Sequence, residues 1–135
     1  MSVTIRGRLE GTQVTLVHGP SGAVVATTPP VDNGGDGSRF SPTDLFAGSF
    51  GACATTILGL YAARAGIAID GADFEVVKEM TAAPPRRLAR LTLTVKVRTS
   101  CTDVEFGKLV AAARSCPVRL SLGDGVEVVE SYERG

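Results

Sequence analysis

Ser41-Pro42-Thr43-Asp44-Leu45-Phe46-Ala47-Gly48-Ser49-Phe50-Gly51-Ala52-Cys53 opens the segment whose reading decides the fold. Its first four residues carry the chemistry of a helix start: the Ser41 hydroxyl can accept a free backbone N–H, Pro42 suits the first helical position, and Asp44 stands where a capping box places its acid. No charged residue follows Asp44 until Arg64, and Gly66 is the first good C-terminal stop. The spacing predicts a helix from about residue 41 to Gly66, roughly 36 Å long at about 1.5 Å per residue. Such a stretch approaches the length of a membrane span. Gly48, Gly51, Gly59, Ser49, Thr55 and Thr56 dilute its hydropathy, however, and it is bounded by charges in an otherwise soluble pattern. The expectation is therefore a long central helix, apolar all round because neighbours bury it from every side.

Working outward, the first forty residues place apolar side chains at Val3, Ile5, Val14, Leu16, Val24 and Val25 between breakers at Gly11, Gly19-Pro20 and Pro29-Pro30. This is the pattern of short strands in a meander. The glycine-rich loop Asp32–Ser38 lacks the Gly-Lys-Ser/Thr of a Walker loop and the Gly-x-Gly-x-x-Gly of a dinucleotide fold, so its glycines are only a weak signal for phosphate. Beyond the helix, Phe74, Val76, Lys78 and Met80 share one strand parity, and Leu91 to Val97 alternates without fault, predicting a hairpin across Ala83-Pro84-Pro85. Phe106, Leu109, Val110 and Ala113 then form the stripe of an amphipathic helix. The chain breaks at Ser115-Cys116-Pro117 and closes with a strand over Val126 to Val129. Strands, helix, two strands, helix, strand make an α+β fold in a single domain spanning residues 1–135.

Composition narrows the function classes. The chain has 135 residues with 14 Lys and Arg against 14 Asp and Glu, so no basic footprint points to nucleic acid or an anionic membrane surface. At 44% hydrophobic and 21% charged residues it is globular rather than disordered. The first residues, Met1 to Arg6, lack the apolar run and cleavage site of a signal peptide, which sets a cytoplasmic expectation. Three cysteines without a Cys-x-x-Cys pair suit a reducing compartment and make no disulfide scaffold. With one histidine, His18, in a turn-forming His-Gly-Pro context, neither a metal site nor a serine-hydrolase triad is expected.

Thiol chemistry remains. Cys53 sits inside the long helix between Ala52 and Ala54, a place where a cysteine also serves as a small packing residue. Cys116 precedes Pro117, which can begin a new helical turn and leave the sulfur near helix N–H groups that favour a thiolate. Cys101, between Ser100 and Thr102 at a strand-to-helix junction, reads as a packing or cap-region thiol. The residues alone permit any of three pairings.

The run from Ser41 to Cys53, preceded by Gly34-Gly35, together with Ser115-Cys116-Pro117-Val118 about 63 residues after Cys53, resembles the OsmC/Ohr family of osmotically induced and organic-hydroperoxide-resistance proteins. The resemblance extends over nearly the whole chain. It implies an OsmC/Ohr-like α+β fold assembled as an intertwined homodimer with active sites at the subunit interface. It also implies a two-cysteine peroxidase in which Cys53 is the peroxidatic thiol, passing through a sulfenic acid, and Cys116 the resolving thiol that closes a Cys53–Cys116 disulfide. The substrate is then a small hydroperoxide, no cofactor or metal is bound, and the recycling reductant is an external dithiol of the dihydrolipoyl type, carried by a lipoylated protein.

A free thiol with a pKa of about 8.5 is only a few per cent thiolate at neutral pH, and apolar burial lowers that fraction, so a nucleophilic thiol on such a helix needs a nearby cation. The resemblance supplies an arginine from the N-terminal strands or the loop before the helix, oriented by an acid in the first helical turn. Arg8 is the first choice for that arginine and Arg39 the alternative. The acid departs from the family pattern: Thr43 follows Pro42 where the best-characterised members carry Glu, and the nearest acid is Asp44, either a catalytic partner or only a cap. That departure motivates the rival reading, a non-peroxidatic OsmC-like protein binding a small apolar or thiol-reactive ligand.

Overall fold

The structure is a computed structural model describing every residue from Met1 to Gly135. It divides into two compact parts, Met1–Phe46 and Ala47–Gly135.

In the first part, β1 (Ile5–Glu10), β2 (Gln13–His18) and β3 (Val24–Thr27) form the expected antiparallel meander in the order β1-β2-β3. Glu10 pairs with Gln13 across a two-residue turn in which Gly11 has φ 63°, a first-position glycine suited to the twist of a hairpin. The register aligns Gly7 with Leu16 and Leu16 with Val25, so Ile5, Leu9, Val14, Leu16 and Val25 share one face while Arg6, Arg8, Glu10 and Thr15 share the other. His18 ends β2, and its Nδ1 lies 2.6 Å from the Ser21 hydroxyl in the following turn. A short 3-10 helix at Val31–Asn33 leads through Gly34, at φ 86°, towards the long helix. Gly35 passes so close to Pro29 that a Cβ there would fall 1.6 Å from the Pro29 carbonyl oxygen.

The long helix α1 runs from Pro42 to Ala65. Its start is the anticipated capping box: the Ser41 N–H donates to Asp44 Oδ2 at 2.9 Å and the Asp44 N–H donates to Ser41 Oγ at 3.1 Å. Its end is a left-handed Gly66, φ 68°, with the Ile67 N–H reaching back to the Ala62 carbonyl at 2.9 Å.

In the second part, β4 (Ala72–Met80), β5 (Leu88–Val97) and β6 (Glu127–Arg134) form a sheet in the order β4-β5-β6, with β4 antiparallel and β6 parallel to the central β5. A parallel partner needs a crossover, and α2 (Asp103–Arg114) followed by α3 (Pro117–Ser121) provides it. Thr102 and Glu105 close a second capping box at the start of α2. The core is built from Leu91, Leu93, Val95 and Val97 of β5, Ala47, Phe50, Ala54, Leu58 and Ala62 of α1, Leu109 and Ala113 of α2, and Cys116. Gly51 is the point of closest approach, since a Cβ there would lie 2.3 Å from the Phe74 ring and 2.9 Å from Val76.

Two expectations need correction. The long helix is not buried on every side: Ala47, Phe50, Gly51, Ala54, Leu58 and Ala62 are buried, whereas Ala52, Thr56, Leu60 and Ala63 are exposed. Length and apolar composition suit α1 to a membrane span as well as to a core, but within Ala47–Gly135 a single three-stranded sheet covers only one side of it. The final strand continues to Arg134 rather than stopping near Val129, because backbone pairing from Glu130 opposite Leu93 to Arg134 opposite Val97 does not depend on apolar side chains. Phe74, on the same strand parity as Val76, is 42% exposed on the edge strand β4.

Candidate thiol site

Cys53 and Cys116 come together although about 63 residues separate them. Cys53 lies on α1 beside buried Ala54 and is half-buried; Cys116 lies at the break between α2 and α3 and is fully buried. Cys53 packs against the core cluster that contains Cys116, and its thiol adds to the upward push on Cys116. Both are free thiols.

The break at Cys116 arises as the sequence suggests. Pro117 cannot donate a backbone N–H, so α2 stops and α3 starts with Pro117 at its first position and Cys116 as its cap. The Arg119 N–H donates to Cys116 Sγ at 3.4 Å. The expected consequence, a thiol tuned towards thiolate, is reversed. Burial dominates and pushes the Cys116 thiol up, with the neighbouring Cys53 thiol and the Glu130 carboxylate adding to the rise; the Arg119 N–H opposes it without prevailing. A neutral thiol is favoured because a buried anion loses hydration that one long N–H contact cannot replace.

Around Cys116 stands a polar cluster that the sequence reading missed. Glu130 of β6 pairs in register with Leu93, so it projects to the core-facing side of the sheet, and its side chain is only 6% exposed. Its Oε2 accepts from Arg119 Nε at 3.2 Å and its Oε1 accepts from the Tyr132 hydroxyl at 2.9 Å. The Arg114 guanidinium lies over the Tyr132 ring, 5.5 Å from its centroid. Burial first, then the hydrogen bond and charge of Glu130, raise Tyr132 far above the ordinary tyrosine value. The signal available in the sequence was parity: Val128, Glu130 and Tyr132 continue the alternation of the final strand, and none of the three is exposed.

The other predicted residues have neighbours of their own. Asp44 closes the capping box with Ser41. Arg8 is exposed on the β1 face that also carries Arg6 and Glu10, bordering a concavity with Thr15 and Val17. The opposite face borders concavities shared by Val14, Leu16 and Val25 with Pro42 and Leu45 of the first helical turn. Arg39 is exposed, and its charge helps hold the Asp36 carboxyl below the usual range, after the larger effect of the Ser38 hydrogen bonds. Cys101 is half-buried; its N–H donates to Thr99 Oγ1 at 3.1 Å and its carbonyl accepts from Arg134 at 2.8 Å. No three His, Cys, Asp or Glu side chains assemble to hold a metal ion.

A sequence model described as OsmC-like protein matches residues 35–131, a span containing Asp44, both site cysteines and Glu130. The chain belongs to the OsmC-like protein family. Among solved structures, this OsmC-like protein is similar to one from Psychrobacter arcticus, provisionally assigned to osmotic stress induction and the detoxification response. They share 31% sequence identity and a TM-score of 0.89 over 98% of this chain and 96% of that one. An organic hydroperoxide resistance protein OsmC from Legionella pneumophila shares the fold with a TM-score of 0.77 and 20% identity, over 98% of this chain and 97% of its own. The organic hydroperoxide resistance protein OhrB of Bacillus subtilis does so with a TM-score of 0.68 and 19% identity, over 98% of each chain. No curated protein sequence matches at the same stringency.

Proposed function

We propose that this OsmC-like protein is a stress-response thiol peroxidase that reduces organic hydroperoxides to alcohols. The observation that carries the reading is the pairing of a half-buried thiol on α1 with a fully buried one at the α2–α3 break. The difference in access supports the division of roles. Cys53, which solvent and a small hydroperoxide can reach, attacks as thiolate on the distal oxygen; the O–O bond breaks, the alkoxide takes up a proton and leaves as alcohol, and Cys53 becomes a sulfenic acid. Cys116, closed off from solvent, then attacks the Cys53 sulfur, releasing the sulfenic oxygen as water and forming the Cys53–Cys116 disulfide. An external dithiol of the dihydrolipoyl type, presented by a lipoylated protein, returns two electrons and restores both thiols.

The cation that holds the Cys53 thiolate is Arg8 or, as the alternative, Arg39, with Asp44 as the acid beside it. No bound cofactor takes part in the cycle. A second copy of the chain, in an intertwined homodimer, covers the side of α1 on which Thr56, Leu60 and Ala63 are exposed, and the cytoplasm, with its reducing thiol pool, is the proposed compartment. The names of the Legionella and Bacillus relatives support the substrate class.

The test is intact-mass and peptide mass spectrometry of the reduced protein after one equivalent of tert-butyl hydroperoxide, with hydrogen peroxide as comparison. Rapid loss of two hydrogens in a Cys53–Cys116 peptide, faster with the organic peroxide, is the expected result, and Cys53→Ser abolishes it. Thiols that stay reduced for many minutes, or oxidation confined to Cys101, overturn the peroxidase reading in favour of a ligand-binding OsmC-like protein.

A further inference from the structure

A buried carboxylate on the core-facing side of a sheet is costly to keep, and here it is paired with Arg119 on the turn that carries the Cys116 thiol. Glu130 is held from two directions, by Arg119 of α3 and by Tyr132 two residues along its own strand. Arg119 is also the residue whose backbone N–H touches Cys116 Sγ. One ion pair thus ties the turn carrying Cys116 to β6 and sets a negative charge close to that sulfur.

We propose that Glu130 is a positioning residue that divides the labour between the two thiols: clamped between Arg119 and Tyr132, its buried carboxylate holds the Cys116 turn and sets an anion on that side of it, leaving Cys53 to meet the oxidant first. The groups facing Cys116 are Cys53 from α1, the Arg119 N–H from α3, and Glu130 and Tyr132 from β6, with Arg114 of α2 stacked behind Tyr132. Among them the carboxylate is the fixed anion, and burial acts in the same direction. A protonated Cys116 does not compete for peroxide. It becomes a nucleophile when the Cys53 sulfur is an electrophilic sulfenic acid and no longer a neighbouring thiolate. The role in the cycle rests on the peroxidase reading, but the charge effect on Cys116 does not.

The experiment therefore uses no peroxide. In reduced Cys53→Ser protein labelled with carbon-13 at the cysteine Cβ, the Cys116 resonance is titrated from neutral to alkaline pH and assigned by its loss in Cys116→Ser. Adding Glu130→Gln lowers the Cys116 midpoint, giving more thiolate at a given pH below it. Adding Glu130→Asp instead, which keeps the charge, leaves the midpoint near the parent value. Should Glu130→Gln fail to fold, Glu130→Gln with Arg119→Met removes both members of the ion pair, leaves no buried charge alone, and reads the same midpoint. A midpoint that stays or rises on loss of the carboxylate, or one that moves equally with Gln and Asp, overturns the proposal. Peroxide consumption by the unmodified protein tests the peroxidase reading separately, so either can fail without the other.

Discussion

Asp44 gives the sharpest quantitative test, because the structure shows both bonds of the cap it closes. In the native cap its Oδ2 accepts the Ser41 N–H at 2.9 Å, while its own N–H reaches Ser41 Oγ at 3.1 Å. Within the cap Asp44→Ala deletes the first bond and keeps the second, since the backbone N–H of position 44 survives. Loss of that capping contact costs about 1 kcal/mol. The carboxylate also sits in the first turn of a 24-residue helix, where a negative charge contributes about 0.3–1 kcal/mol through the helix dipole. The better helix propensity of Ala offsets about 0.5 kcal/mol. The net expectation is a loss of about 1–1.5 kcal/mol, or roughly 3–6 °C in Tm for a domain of this size. Asp44→Asn keeps an oxygen to accept the Ser41 N–H and loses only the charge, so it falls between wild type and Ala. Ser41→Ala with Asp44→Ala costs less than the two singles together, because the two bonds support each other. The assay is thermal and urea unfolding followed by circular dichroism, with peroxide turnover measured on the same samples. Asp44→Ala unfolding at the wild-type temperature refutes the capping argument. Turnover lost with Asn at nearly full stability assigns the carboxylate to the chemistry as well as to the cap.

Gly35→Ala forces a Cβ into the Pro29 backbone, which no side-chain rotation relieves, so the loop opens with a loss of about 1–3 kcal/mol. Hydrogen exchange at the Asn33 and Gly35 amides, both bonded to the Pro30 carbonyl, accelerates in that variant, and unchanged protection contradicts the close packing. Tyr132 supplies a pH dependence. Its folded pKa is raised by burial and then by Glu130, so the folded state holds the phenolic proton after the unfolded chain has released it. The associated stability is complete below an unfolded value of about 10 and is lost as pH rises beyond it. Absorbance at 295 nm, compared between wild type and Tyr132→Phe, assigns one of the two tyrosines to a late transition coincident with unfolding, and an ordinary titration of that component removes the claim.

The sequence by itself determined every element whose cause lies within a few neighbouring residues. Ser41-Pro42-Thr43-Asp44 and Gly66 set the ends of α1, the perfect alternation of Leu91 to Val97 made β5, and Pro117 broke the chain beside Cys116. The two cysteine contexts were also legible, because each is a local motif. Tertiary structure decided what lies between them. That β6 runs on through Glu130 and Tyr132 follows from its pairing with β5 about 37 residues earlier in the chain, and this pairing carries a polar stretch inward where no hydrophobic pattern marks it. That α1 is covered on one side only follows from how much surface a three-stranded sheet can offer, not from the helix's own composition. The protonation of Cys116 belongs to the same class: its cap geometry is local and favours thiolate, but burial and the carboxylate of a distant strand outweigh one backbone N–H.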